Sequence, residues 1–306
     1  MYDGTWGTME CGNDGTCGTT EREGPSLSRI VWGVVLLVVF AYLGVLLLLR
    51  LNEPRLIYFP GSARRLIDPP AALQLPVRRA AIRTEDGLTL GSWIIPAGAD
   101  STGYWMLICH GNAGNLSEFG RPDHYAGLRA LGLSLLAFDY RGYGESEGAP
   151  SEAGLYRDAY AAYQYLRGQL RVPPERIIVF GHSLGSTVAV DLASRVPAAG
   201  LILEGALTSV IERGAELYPY IPVRWIGRSR FSSIDKISRV RIPKLFLHAR
   251  ADDVVPLAHG RRLFAAASPP KTFVELNGGH GDAFQIDSAT YFGSIQRFVE
   301  GLRGGK

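Results

Sequence analysis

At 306 residues the chain is long enough for one large domain or two small ones, and either could bury a core. Charged residues make up 20%, below the roughly 25% usual for soluble domains, so part of the chain reads as lying outside water. A net charge of +3, without a long basic block, excludes a nucleic-acid footprint, and three cysteines exclude a multi-bridge disulfide scaffold.

In chain order, residues 1–28 are rich in Gly, Thr and acidic side chains without a hydrophobic period, and are expected to be disordered. Cys11 and Cys17 lie in this tail, close enough in sequence to suggest a pair. They have no histidine partners and match no metal site. Residues 30–49, "IVWGVVLLVVFAYLGVLLLL", are uncharged and flanked by Arg29 and Arg50. At about 1.5 Å per residue a helix of this length spans about 30 Å, which predicts a transmembrane helix over residues 29–50. A cleaved signal peptide fits less well. The apolar stretch exceeds the usual core of about 7–15 residues, an acidic tail precedes it, and no small-x-small site follows. Arg50, Arg55, Arg64 and Arg65 after the helix outnumber Arg22 and Arg29 before it, which argues that the following domain faces the cytoplasm.

Beyond the anchor, residues 51–306 alternate short β-type runs with longer helical patterns. Strands are expected at 79–83, 88–95, 104–109, 133–138, 176–180, 200–203, 244–248 and 272–276. Helices are expected at 116–131, 151–169, 185–195, 258–267 and 286–302, with Ser151 as an N-cap. The first two strands, joined by "EDG" at 85–87, read as an antiparallel edge hairpin. The remaining alternation means parallel pairing through right-handed crossovers, hence an α/β sheet covered by helices on both faces. Cys109, at the end of an apolar run, reads as a buried small hydrophobe.

The stretch "WMLICHGNAGN" at 105–115 ends a strand in a turn that presents backbone N–H groups where side chains would obstruct. The N–H of Asn112 is its candidate oxyanion donor, with Ala113 as the alternative. "IIVFGHSLGSTVAVDLA" at 177–193 runs an apolar strand through G-H-S-L-G into a small-residue helix. This is the form of a nucleophile elbow: Gly181 and Gly185 allow a close turn, Ser183 is exposed at the strand's end, and the N–H of Leu184 opens the next helix.

A serine nucleophile requires a histidine and an acid downstream on strand-end loops. Among six histidines only His259 and His280 follow a candidate acid. His259 falls in a predicted helix, where a surface histidine is the default. His280, in "ELNGGHGDAF", sits in a glycine-flanked loop after the last strand and is the candidate base. "KLFLHARADDVVP" offers Asp252 and Asp253 as acids, one for the triad and the other for the turn, and spacing alone does not separate them. Asp191 fails because it lies within the helix after the elbow, and Asp282 lies too close to the histidine in sequence.

Taken together, "HGNAGN" at 110–115, "FDYRGYGESEGAPSEAGLYRDA" at 138–159, "GHSLGS" at 181–186, "LFLHARADDVVP" at 245–256 and "GGHGD" at 278–282 resemble the Bem46-like, ABHD-type branch of the α/β-hydrolase superfamily. The resemblance covers roughly residues 55–300 and implies an α/β-hydrolase fold. Its HGxxDxxVP loop implies Asp252 as the triad acid and Asp253 as a neighbour, although Ala249 stands where the family has glycine. It also implies structural or site-supporting roles for Asp139 and Arg141. Members are commonly membrane-associated serine hydrolases, some of which remove fatty acyl groups from protein cysteines.

The resulting expectation is a membrane-anchored serine hydrolase with Ser183, His280 and Asp252 as the triad, and Asn112 and Leu184 as oxyanion donors. It would cleave acyl esters or thioesters, of a lipid or an acylated protein, with no metal and no organic cofactor. A peptidase or amidase on the same triad, or a catalytically silent membrane-tethered binding module, are the alternatives. Residues 205–243 form the expected cap, whose Tyr218, Tyr220, Trp225 and Phe231 either line an acyl pocket or cover the sheet edge.

Overall fold

The computed structural model describes residues 9–11, 13–15, 17–19, 26–61 and 65–304, and the chain divides into two units, Met1–Leu51 and Asn52–Lys306. In the first, β1 (Met9–Cys11) pairs antiparallel with β2 (Cys17–Thr19), and a disulfide joins the paired Cys11 and Cys17. Within the tail expected to be disordered, these described residues form a short hairpin closed by a covalent bond. Residues 1–8, 12, 16 and 20–25 lie outside the described residues. Helix α1 (Leu27–Ile57) is longer than the 29–50 predicted, because helical geometry continues past the apolar stretch into Arg50–Ile57. Its apolar window has a mean hydropathy of 2.8 and none of it is buried, so the helix is long and apolar enough to cross a membrane.

The sheet of the second unit begins with β3 (Arg78–Arg83) and β4 (Thr89–Ile95), an antiparallel hairpin turned at Gly87, whose φ is 86°. Then come β5 (Trp105–Cys109), α2 (Arg121–Ala130), β6 (Ser134–Phe138) and α3 (Glu152–Gly168). They are followed by β7 (Ile177–His182), α4 (Leu184–Ala193) and β8 (Gly200–Glu204). Next are α5 (Val210–Leu217), α6 (Val223–Ile226), β9 (Lys244–Ala249), α7 (Leu257–Ala266) and β10 (Lys271–Leu276), and last α8 (Ala283–Ile286) and α9 (Ser288–Gly304). The sheet order is β10-β9-β8-β7-β5-β6-β4-β3. β4 pairs antiparallel with β3 and β6, and the remaining neighbours pair in parallel.

Alternate residues of the central strands feed two cores. Leu107, Cys109, Val179 and Leu203 pack with Leu155 of α3, Val188 of α4 and Leu263 of α7. Met106, Ile108, Phe180 and Ile202 pack with Leu128 of α2 and Ile295 of α9. Burial on both faces is why these strands read as unbroken apolar runs. Burial also pushes the Cys109 thiol up to about 12, so it packs as a neutral hydrophobe.

Local polar contacts decide two helix starts. The Ser151 hydroxyl accepts from the Gly154 N–H at 3.1 Å and caps α3. α2 starts five residues later than predicted, because Leu116 N–H donates to Asp139 at 2.9 Å, Asn115 N–H donates to Glu118 at 2.9 Å, and Gly120 adopts φ 69°. Those bonds divert the backbone from helix until Arg121 and Pro122 begin it.

Candidate active site

β7 and β8 pair in parallel as far as His182 and Glu204, and the Ser183 N–H donates to the Glu204 carbonyl at 2.9 Å. The chain then reverses into α4 through Ser183 itself, at φ 54° and ψ −123°. A non-glycine residue held there stores roughly 1–3 kcal/mol of strain, which the surrounding packing must offset. A Cβ at Gly185 would overlap the carbonyl oxygens of Cys109 and His110, and one at Gly181 would overlap the Gly185 carbonyl and the Ala189 side chain. The glycines are steric requirements of this turn.

His280 lies in the loop between β10 and α8. Its Nε2 is 2.8 Å from Ser183 Oγ, and its Nδ1 lies 2.9 and 2.8 Å from the two carboxylate oxygens of Asp252. Asp252 also accepts from the N–H groups of Val254 at 3.0 Å and Val255 at 2.7 Å. Burial pushes its carboxyl up, but the His280 hydrogen bond and charge and the Val255 N–H outweigh this and hold it below the usual carboxylate value. Asp252 therefore combines contact with the histidine and support of its own turn, two tasks the sequence divided between adjacent aspartates. Asp253 is exposed, and its carbonyl accepts from Arg213 at 3.4 Å.

Local sequence pattern gives His182 no role. Its Nε2–H donates to the His280 carbonyl at 2.9 Å, and the two rings are 4.9 Å apart. Burial, then the charge of His280, lower its basicity to about 3, so it is a neutral imidazole with one fixed donor. His182→Ala is expected to lower kcat by about ten- to a hundred-fold with little change in KM, by loosening the His280 loop. His182→Gln, whose amide can replace the donor, should recover most of the rate. An equal loss in both variants would refute the positioning role.

The loop after β5 is fastened from several sides. His110 Nδ1–H donates to the Gly111 carbonyl at 2.7 Å, and its Nε2 lies 3.2 Å from Asp139. Because the peptide is trans and planar, turning the Gly111 carbonyl toward His110 turns the Asn112 N–H the opposite way. The Asn112 carbonyl accepts from Tyr143 and from the Phe59 N–H, both at 2.9 Å, and its side-chain amide donates to Ile57. Arg121 donates to the carbonyls of Ala113 and Asn115. Asp139 thus supports this loop directly. Arg141 is bound instead to Asp158 and Asp86, which ties β6 to α3 and to the turn after β3.

A cavity of about 290 Å³ lies beside this loop, lined among others by Gly111, Arg121, His124, His182, Glu204 and Phe284. The Tyr291 hydroxyl joins two of the lining residues, donating to Glu204 at 2.9 Å and contacting His124 Nε2 at 2.9 Å. Burial pushes the Glu204 carboxyl up to about 7 from its ordinary 4.5, against the opposing effects of Tyr291 and His280. A raised acid pKa means the folded state binds more protons across this window, so its contribution to stability falls as pH rises. Glu204→Gln, which keeps an acceptor for Tyr291, is expected to gain about 3 kcal/mol on wild type between pH 4.5 and 7, and nothing further above it. Denaturant midpoints measured across this range test it, and a constant difference between the two proteins would rule it out.

His259 departs from the expectation of a surface histidine. It is buried, 2.7 Å from the Thr208 hydroxyl and 2.9 Å from Glu216, and so joins α7 to the segment around α5. Among the cap aromatics, Phe231 packs in the core against Tyr58 and Tyr156, while Tyr218, Tyr220 and Trp225 are exposed and none lines the cavity. Among the described residues, no group of His, Cys, Asp or Glu is placed to hold a metal ion.

Residues 104–222 match the family described as alpha/beta hydrolase fold. The chain is 32% identical to the alpha/beta hydrolase domain-containing protein WAV2 of Arabidopsis thaliana, over 84% of this chain and 90% of that protein. It is 34% identical to the lysophosphatidylserine lipase ABHD12 of Danio rerio, over 64% of this chain and 59% of that one. The Pyrococcus furiosus esterase Pf2001 superposes with a TM-score of 0.66 at 20% identity, over 80% of this chain and 100% of that one, a likeness of fold. The chain belongs to the α/β-hydrolase family, in its ABHD branch.

Proposed function

We propose that this chain is a membrane-anchored serine hydrolase that cleaves carboxylic ester or thioester bonds through an acyl-enzyme. Membership of the family and the lipase among its relatives support hydrolase activity. The observation that carries the finer reading is the chain of contacts from Ser183 Oγ to His280 Nε2 at 2.8 Å and from His280 Nδ1 to Asp252 at 2.8 Å, built on a strained elbow.

In this reading His280 Nε2 takes the Ser183 proton as Oγ attacks the acyl carbonyl carbon. The developing oxyanion is held by the N–H groups of Asn112 and Leu184. His280 then passes the proton to the leaving alcohol or thiol, and the acyl group stays on Oγ. Water repeats the sequence, losing a proton to His280 and releasing the carboxylic acid and Ser183. Asp252 holds Nδ1 protonated, so that Nε2 faces the serine as an acceptor. Residues 29–50 serve as the membrane segment, residues 51–306 as the hydrolase domain facing the cytoplasm, and residues 205–243 as its cap.

An anchored catalytic domain meets acyl chains at high local concentration, which favours a lipid or an acylated protein as substrate. The purified protein should hydrolyse esters and thioesters with kcat/KM rising up to about four-fold for each methylene buried. Turnover of amides alone, or no gain from added methylenes, would overturn the assignment.

A further inference from the structure

The cap sorts its large apolar side chains in an uneconomical way for a surface in contact with water. Phe231 is buried, whereas Leu217, Tyr218, Tyr220 and Trp225 face outward, Tyr220 at 89% and Trp225 at 87% exposure. Between Leu217 and Ile234 the charged residues are Arg224, Arg228 and Arg230, all exposed, with no acidic residue among them. Exposed tryptophan and tyrosine beside unpaired-sign arginines is the composition that suits the headgroup layer of an anionic bilayer.

The position of this segment in the chain favours the same occupant. The apolar stretch of α1 ends before Arg50, and three residues later the Glu53 carboxylate accepts from the backbone N–H groups of Arg228 and Ser229 at 2.7–3.0 Å. Three helical residues rise about 4.5 Å. Trp225 precedes Arg228 by three residues, a reach of at most about 11 Å. Glu53 thus fastens the cap within the second unit at a point only three residues, in sequence, beyond the apolar stretch, a chain length shorter than the roughly 5–7 Å of a headgroup layer.

Resting on the membrane-anchored reading above, we infer that residues 217–230 of the cap dock on an anionic lipid surface, with Trp225 and Tyr220 seated among the headgroups. The docked cap is coupled to the candidate site, because Arg213 of α5 donates to the Val254 carbonyl at 2.7 Å, two residues from Asp252. The inferred substrate is accordingly an acyl ester or thioester that reaches the site from the bilayer.

The full chain, reconstituted in phosphatidylcholine vesicles containing phosphatidylglycerol, allows a direct test. Of its five tryptophans, the contribution of Trp225 is isolated as the difference between wild type and Trp225→Phe. Lipids brominated near the headgroup should quench this difference signal about two-fold more than lipids brominated deep in the chains. Absence of quenching overturns the inference. Turnover supplies the second arm: Tyr220→Ser combined with Trp225→Ser should lower hydrolysis of a bilayer-resident long-chain ester by about ten-fold while a soluble short ester is unaffected. Equal losses on both esters overturn the coupling of docking to substrate supply. If wild type hydrolyses neither ester, the hydrolase reading falls, and the quenching arm still decides the docking.

Discussion

Ser183→Ala is expected to abolish labelling by a fluorophosphonate probe and to lower kcat/KM by about ten-thousand-fold or more, since it removes the oxygen that lies 2.8 Å from His280 Nε2. The fold should survive, because the hydroxyl is not a structural bond. What pins the turn is the backbone, through the Ser183 N–H to Glu204 and the Ser186 N–H to the Ser183 carbonyl, both 2.9 Å. A second substitution separates chemistry from strain. Ser183→Gly relaxes a φ of 54° that alanine still has to bear, so it should be more stable than Ser183→Ala by about 1 kcal/mol and equally inactive. Wild-type labelling that persists in either variant would place the reactive group elsewhere.

The sheet was legible because parallel strands buried on both faces carry a signal in consecutive residues. β5, β7, β8 and β9 each announce themselves as apolar runs of three to five residues. The hairpin of β1 and β2 carries no such signal: its strands, MEC and CGT, have three residues each, too few for an apolar run. The elbow was legible for a different reason. The close approach of α4 to the loop after β5 leaves no room for a Cβ at Gly185, and a steric demand of that kind writes itself into one or two residue identities.

Contacts between distant segments left no such trace. His182 reaches the carbonyl of a residue 98 positions away, and Glu204 reaches Tyr291 across 87. His259 stands at the start of a helix, where local pattern predicts exposure, and is covered only because Thr208 and Glu216 close over it. The tail of the cap shows the converse. Its aromatics are legible as aromatics, but whether they face a pocket, the core or the outside depends on the path between β8 and β9, which sorts Phe231 inward and Trp225 outward.

Asp252→Asn should lower kcat by about a thousand- to ten-thousand-fold, whereas Asp253→Asn should change it less than about two-fold. The two residues are adjacent and chemically identical, so the contrast tests geometry alone. Asparagine at 252 can still accept from the N–H groups of Val254 and Val255, which keeps the turn. It then presents an amide to His280 Nδ1, and the ring protonates at Nε2 instead, leaving no acceptor for the Ser183 proton. A change in stability accompanies the loss. The Asp252 carboxyl is held below its ordinary value, so its stabilising contribution is present above about pH 4 and disappears as pH falls through the folded value. Asp252→Asn should therefore be less stable than wild type at neutral pH and approach it in acid. If Asp253→Asn alone abolished turnover, the acid would have to reach His280 from the exposed side of the loop, and the 2.8 Å contact from Asp252 would be structural only.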